Sequence, residues 1–278
     1  MRNRLASLFG AEMQLGISSH ALTIARRGAF GKGPAVLFDE SASLQELQQR
    51  CRAALAGTAC AGLPLSITLC DELVRLFMVT PPQNAARLHD LQAAADMRFL
   101  SLYGESPGNW RISADWQART PFLACAAPRA LIEECTTLAH ALRMPLVGLQ
   151  AHFVAAWNLA HKELSRAKEP TWLAVLRGNH LTLGIVEPKP RRLLALRGLQ
   201  LPGERAGLDW LQEQVERTAL QSDTVSPSHV LLAGEPRADW SSAGNAKLRL
   251  THLGKSSMPG IGDKPAQTPK PIIKAVSA

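Results

Sequence analysis

The chain has 278 residues, a net charge of +8 and a composition that is 46% hydrophobic and 19% charged. These values are typical of a soluble globular protein of one or two domains, and they exclude coiled-coil, collagen-like and wholly disordered classes. No apolar run approaches the about 18–20 residues that cross a bilayer, and the apolar stretch before Glu12 is too short for a secretory signal. We therefore expect a cytoplasmic protein whose five cysteines, with no CxxC pair, are buried thiols.

The first 170 residues alternate between strand-like and helix-like apolar periods. The predicted elements are a hairpin at 13–28, a strand at 35–40, a helix at 43–55, strands at 63–70 and 74–82, a helix at 85–103, strands at 109–116 and 121–128, a helix at 129–144, and a strand that continues into a helix over 146–169. In the helix at 85–103, the predicted buried stripe consists of Leu88, Leu91, Ala95, Phe99 and Leu102. This alternation indicates an α/β fold.

A charged run, Lys162–Glu169, is followed by Pro170 and marks a boundary between two halves. Beyond it the order restarts, with strands at 171–178, 180–187 and 191–198, a helix through 208–219 and strands at 229–234 and 247–253. Both halves read strand, strand, strand, helix, strand, and the first carries an insertion at about 74–127. We predict a first half at 1–169, a second half at 170–253, and a disordered tail rich in Pro and Lys at 254–278.

Three other patterns that would carry chemistry are incomplete. The Gly-Lys pairs at 28–33 and 253–257 lack the spacing and the following helix of a P-loop. His152 and His161 are nine residues apart, whereas two metal ligands on one helix face are three or four apart. The arginines are scattered, which favours a solvated basic surface over a nucleic-acid-binding face. We predict no metal site and no nucleic-acid partner.

Four stretches resemble a known family. They are the opening "SLFGAEMQLGISSHALTIARR", the strand pair "LCDELVRLFMVTPP", the strand and helix "LVGLQAHFVAAWNLAHKEL", and the second hairpin "TWLAVLRGNHLTLGIVE". Together with the element order, they resemble the actin-like ATPase fold, and more narrowly the PilM family of type IV pilus assembly proteins and the cytoplasmic domain of GspL-like type II secretion proteins. The resemblance implies a duplicated, ribonuclease-H-like α/β fold with a small subdomain inserted in its first half.

The nucleotide motifs that this resemblance implies are degenerate. The first hairpin of the fold normally carries Asp-x-Gly, whose acid holds Mg²⁺ while backbone N–H groups cradle the phosphates; here those positions read Gly16, Ile17 and Ser18. In the second hairpin the acid position is Leu176 or Arg177, and Glu235 stands where a second adenosine-side glycine is expected. We therefore predict no catalytic residue and no cofactor. The remnant nucleotide site consists of Ser18, Ser19, His20, Gly178 and Gly234, and binding of ATP without turnover stays open.

The resemblance also implies a partner. The inserted subdomain is expected to receive a cytoplasmic peptide from a single-span inner-membrane protein, through Arg75, Arg98, Trp110, Arg111 and Trp116. The alternative is that these aromatic residues only fill the core of the subdomain. The basic tail is expected to add a weak attraction to an anionic membrane surface.

Two functions remain open from the sequence. The first is a non-catalytic scaffold on the cytoplasmic face of an inner-membrane pilus or secretion assembly platform. Such a scaffold could also form a homo-oligomer. The second is a nucleotide-binding ATPase of the same fold that regulates pilus assembly.

Overall fold

The computed structural model describes residues 12–19, 21–27, 35–37, 46, 49, 53, 61–85, 87–189, 191–203, 206–235, 237, 240 and 248–253. Several predictions lie outside these residues: the N-terminal segment, His20, the Gly-Lys turns, most of the helix at 43–55 and the tail at 254–278. Of that helix, Glu46, Gln49 and Ala53 are described, and all three are helical and exposed.

The described elements follow the predicted order. In chain order they are β1 (Glu12–Ile17), β2 (Ala21–Arg27), β3 (Ala35–Leu37), β4 (Leu65–Leu69), β5 (Arg75–Val79), α1 (Leu88–Tyr103), β6 (Trp110–Ala114), β7 (Phe122–Pro128), α2 (Arg129–Ala141), β8 (Leu146–Ala151), α3 (His152–Leu159), α4 (His161–Arg166), β9 (Thr171–Arg177), β10 (His180–Pro188), β11 (Arg191–Gln200), α5 (Leu208–Gln221), β12 (His229–Gly234) and β13 (Arg249–His252). Short 3₁₀ turns occupy Asp71–Leu73 and Pro107–Asn109.

Two five-stranded sheets have the same spatial order. The first runs β3–β2–β1–β4–β8 and the second runs β11–β10–β9–β12–β13. In each sheet the three consecutive strands at one side pair antiparallel. The next strand pairs in parallel with the first of the three, and the last strand pairs in parallel with that added strand. The chain is therefore a structural duplication, and we call the parts that carry these sheets the first and the second half.

A third sheet, β5–β7–β6, is formed by the segment inserted between β4 and α2. All of its pairings are antiparallel, and β6 pairs with β7 on one side only among the described strands. Helix α1 buries Leu91, Ala95 and Phe99 against one face of this sheet, where they join Phe77 and Phe122 in a small core. We call this sheet with α1 the inserted subdomain.

Each half has its own apolar core. In the second half, α5 buries Leu208, Leu211, Val215 and Ala219 against β9 and β10, as its period predicts. A further cluster joins the halves, because Phe153 of α3 packs with Leu173 and Val186 of the second sheet. Gly184 of β10 makes room for this contact, since a Cβ atom there would lie 2.6 Å from the Phe153 ring.

The structure corrects two predictions about helices. Leu88 and Leu102, the ends of the predicted stripe on α1, are 53% and 44% exposed. Helix α1 has 16 residues and is about 24 Å long. The outer strands β5 and β6 have five residues each and span about 16 Å, so two of the three strands are shorter than the helix that packs on them. The single helix predicted after β8 is two helices that meet at Ala160.

Candidate functional site

The buried side chain of Arg177 lies where the two halves meet. Arg177 ends β9, directly before the turn to β10, and its side chain is 4% exposed. Its Nη2 donates a hydrogen bond to Oγ1 of Thr23 in β2, over 3.2 Å, and its Nη1 lies 3.4 Å from Oε1 of Glu235. Because a guanidinium presents several donors in one plane, it can bond both partners at once. Arg177 therefore links the second half to the hairpin of the first.

Glu235 is held in place by the backbone of the second hairpin. Its Oε2 accepts a hydrogen bond of 3.1 Å from the Gly178 N–H, and its own N–H donates to the Leu176 carbonyl over 3.0 Å. Gly234, the preceding residue, has a φ of +97°, and a Cβ atom there would lie 1.9 Å from that same carbonyl oxygen. Only glycine fits so close to the Leu176 backbone, so Gly234 brings the Glu235 carboxylate to the hairpin turn.

A second carboxylate occupies the turn of the first hairpin. The backbone N–H and the hydroxyl of Ser19 both donate to Oε1 of Glu72, each over 2.7 Å. Ser18, the preceding residue, is buried. The Ser19 N–H, which could otherwise bind an external anion, therefore binds the Glu72 carboxylate. Hydrogen bonds to a charged acceptor are stronger than bonds between neutral groups.

Asp71 forms a second link between the halves. This buried carboxylate accepts a 2.9 Å hydrogen bond from the Phe153 N–H, at the start of α3, and a 2.7 Å bond from Oγ1 of Thr182 in β10. Burial raises the pKa of Asp71 to about 6, and the hydrogen bonds from Phe153 and Thr182 oppose that rise. We call Thr23, Asp71, Arg177, Thr182 and Glu235 the interhalf cluster.

His152 lies beside this cluster as a neutral ring. Burial, and secondarily the charge of Arg177, lower its pKa to about 3. Neither ring nitrogen has a hydrogen-bond partner among the described residues. Cys70 is also close to Arg177, and burial raises the pKa of its thiol well above the ordinary value, with the Glu72 charge adding to the rise. The cluster therefore offers neither an imidazolium nor a thiolate.

The residues predicted to bind a partner lie mostly together in the inserted subdomain. Trp110 packs 5.3 Å from the Phe99 ring, and its Nε1 donates to Glu105 over 3.0 Å. The Arg75 guanidinium lies 5.6 Å from the Trp110 ring centroid. Trp116 packs 5.8 Å from the Phe122 ring. Both tryptophans thus contribute to the subdomain core, and both remain partly exposed.

A cavity of about 390 Å³ opens next to these tryptophans. It is lined by Gln92, Asp96, Pro107, Gly108, Trp110, Arg111, Ile112, Trp116 and Arg129. The structure therefore brings Trp110, Arg111 and Trp116 to one surface, whereas Arg75 and Arg98 do not line it. Two residues that line this cavity, Asp96 and Arg129, were not predicted from the sequence. The one sequence signal for Arg129 is its position at the start of a predicted helix. In the structure its Nε donates to the Gly108 carbonyl over 2.8 Å.

No protein-family model and no curated protein sequence matches the chain. Among solved structures, the cytoplasmic domain of EpsL, an inner-membrane component of the type II secretion system of Vibrio cholerae, matches with a TM-score of 0.57 at 10% identity, over 87% of this chain and 89% of that one. A PilM–PilN type IV pilus biogenesis complex matches with a TM-score of 0.56 at 14% identity, over 80% and 81%. A Bacteroides thetaiotaomicron protein of unknown function with an actin-like ATPase fold matches with a TM-score of 0.57 at 8% identity, over 83% and 84%.

The fold is therefore actin-like, as the sequence resemblance implied. A magnesium nucleotide, which that resemblance places between the hairpins, does not fit the residues present. Carboxylates already accept from the Ser19 and Gly178 N–H groups and would repel phosphate, while the Arg177 guanidinium would repel a divalent cation. Over the described part of the chain, no group of three or more His, Cys, Asp or Glu side chains is placed to hold a metal.

Proposed function

We propose that the protein is a non-catalytic, actin-like scaffold on the cytoplasmic face of an inner-membrane pilus or secretion assembly platform. The observation that carries this proposal is the Arg177 guanidinium, which lies between Thr23 of the first hairpin and Glu235 beside the second. The positive charge of this guanidinium disfavours binding of the Mg²⁺ ion on which phosphoryl transfer depends. The fold shared with a PilM–PilN pilus complex and with the cytoplasmic domain of EpsL supports the assembly role. No described helix is long and apolar enough to cross a membrane.

The inserted subdomain is the proposed site for that partner, an extended cytoplasmic peptide of a single-span membrane protein. Strand β6 has one side without a pairing strand in the described chain, and an extended peptide adds to such an edge by backbone hydrogen bonds. The adjacent cavity between Trp110 and Trp116 accepts an apolar side chain. Arg111, which is exposed, and Arg129 at the rim suit a peptide that carries a carboxylate.

The peptide site is tested by titration. The probe is the N-terminal cytoplasmic peptide of a single-span membrane protein encoded beside this chain, with a scrambled peptide as reference. Wild type is expected to bind it, and Arg111→Glu to weaken binding by about tenfold through charge reversal. Arg217→Glu changes an exposed arginine on α5 of the second half and is the matched control. Binding no better than that of the scrambled peptide, or equal loss in both variants, contradicts the proposal.

A further inference from the structure

The two hairpin turns carry the same unusual arrangement, although they lie in different halves. In each, a backbone N–H at the turn donates to a carboxylate of the same half: Ser19 to Glu72, and Gly178 to Glu235. Turn N–H groups are general sites for anions, because their partial positive charges converge on one point. Both sites are thus filled by carboxylates that are covalently part of the chain.

A cation of the chain completes the arrangement. The Arg177 guanidinium lies between Glu235, in its own half, and Thr23, in the other. Its side chain is 4% exposed and bonds a residue of the first half, so the charge is buried where the halves meet. A buried cation is tolerated only beside a carboxylate and hydrogen-bond acceptors, and Glu235 and Thr23 supply one of each.

We infer that side chains of the protein take the place of a bound ligand. Glu72 and Glu235 occupy the anion positions of the two hairpins, and Arg177 replaces a bound cation as the bridge that holds the halves together. The halves are thereby fixed in one closed arrangement that no nucleotide is needed to form. This inference rests on the non-catalytic assignment proposed above, and none of its residues lines the cavity of the peptide site.

Two hydroxyl groups make the bridge testable without disturbing the core. Thr23 and Thr182 are fully buried, and each takes part in one hydrogen bond across the halves. The Thr23 hydroxyl accepts from Arg177, and the Thr182 hydroxyl donates to Asp71. Valine has nearly the same shape but lacks the hydroxyl. Thr23→Val with Thr182→Val therefore removes both interhalf bonds, together with the long 3.5 Å bond that the Thr23 hydroxyl donates to the Gly16 carbonyl. Thr218→Val is the matched control, because the buried Thr218 hydroxyl donates to Gln214 inside α5 and not across the halves.

Hydrogen exchange measured by mass spectrometry gives the readout. In the full-length double variant, we expect segments 14–24, 150–156 and 176–184 to exchange about tenfold faster than in wild type, as the loss of two hydrogen bonds implies. In Thr218→Val, faster exchange is expected in α5 alone. If the double variant exchanges in these three segments as wild type does, the bridge does not hold the halves together.

Magnesium ATP provides the second arm. Because the chain fills its own anion sites, adding magnesium ATP to wild type is expected to leave exchange in the three segments unchanged. Protection of these segments by magnesium ATP would overturn the inference. A protein that shows no such protection and yet fails to bind the membrane-protein peptide would overturn the proposed partner site and leave this inference standing.

Discussion

Arg177 at the end of β9 donates a hydrogen bond to the hydroxyl of Thr23 in β2, across 3.2 Å and 154 residues of sequence. The two residues belong to the corresponding hairpins of the duplicated halves. Arg177 is one of the two positions at which the resemblance implies an acid, and its cationic side chain instead reaches the other hairpin. The contact between the halves therefore depends on fixed side chains, and each of them can be changed.

Removing the Arg177 cation should destabilise the protein. Arg177→Met leaves the Glu235 carboxylate, which is 24% exposed, beside the hairpin without its ion pair. Breaking one partner of a buried pair costs about 3–5 kcal/mol, and the partial exposure of Glu235 lowers this to about 2–3 kcal/mol. The free energy of unfolding, from urea denaturation, measures the loss.

A second substitution and an exposed ion pair serve as controls for this measurement. Glu235→Gln added to Arg177→Met removes the uncompensated charge and should recover part of the lost stability. Arg217→Met breaks the exposed Arg217–Glu213 pair, in which both side chains are more than half exposed, and should cost less than about 1 kcal/mol. An equal loss in Arg177→Met and Arg217→Met would show that the buried Arg177 side chain has no special role in stability.

Magnesium ATP should neither be hydrolysed nor stabilise the protein. Wild type is expected to release no phosphate above a buffer control and to keep its melting temperature in the presence of magnesium ATP, because a ligand raises stability only if it binds the folded state. Gly16→Asp restores an acid to the first hairpin but should not restore turnover, since Arg177 remains in the second. Steady phosphate release that is abolished by Ser19→Ala would favour the ATPase alternative.

The element order could be predicted from the sequence because each element carries its own period. The buried residues of α5, and the three consecutive strands that begin each half, repeat at intervals that a local window detects. The exposed Leu88 and Leu102 show the limit of that reasoning: the period places them on the buried face of α1, but the length of the sheet beneath is a property of three other segments.

Two residues of the candidate site carry a signal in the sequence, but their contacts do not. Arg177 and Glu235 depart from the motifs that the resemblance implies. Arg177 is one of two candidates for the position of the missing acid, and Glu235 stands where a glycine is expected. That these two residues pair with each other depends on the parallel register that sets β12 beside β9. The contact of Ser19 with Glu72, 53 residues later, carries no local signal at all.

Gly234 should be among the least replaceable glycines of the second half. A Cβ atom at Gly234 would lie 1.9 Å from the Leu176 carbonyl oxygen, so Gly234→Ala must displace backbone as well as adopt a positive φ. The expected cost is about 3 kcal/mol or more. Gly203 also has a positive φ, of +64°, but no heavy atom lies within 4 Å of an added Cβ, so Gly203→Ala should cost only about 1 kcal/mol. Thermal unfolding of both variants compares them, and equal losses would contradict the close approach.

The buried His152 ring predicts a dependence of stability on pH. Its pKa falls from 6.5 to about 3 on folding, mainly because of burial. The stability that this neutral ring contributes is therefore fully present above pH 6.5 and is lost as the pH falls toward 3. Asp71 acts in the opposite sense, because its pKa rises from 3.8 to about 6: its contribution is present below pH 3.8 and is lost as the pH rises through 6. The His152 shift is the larger, so its loss should outweigh the Asp71 gain on acidification.

Replacing His152 with leucine should remove the acid-sensitive part of this balance. The free energy of unfolding of His152→Leu minus that of wild type is expected to grow as the pH falls from about 6.5 to 4, by an amount on the order of a few kcal/mol. Urea denaturation at a series of pH values measures the difference. Asp71→Asn should have the opposite effect. Its stability should fall more steeply than that of wild type as the pH is lowered, because the stability that protonated Asp71 contributes is missing. His140→Leu, at an exposed site on α2, controls for the loss of a histidine as such. A His152→Leu difference that stays constant across this range would mean that the ring is charged or solvated in the folded protein.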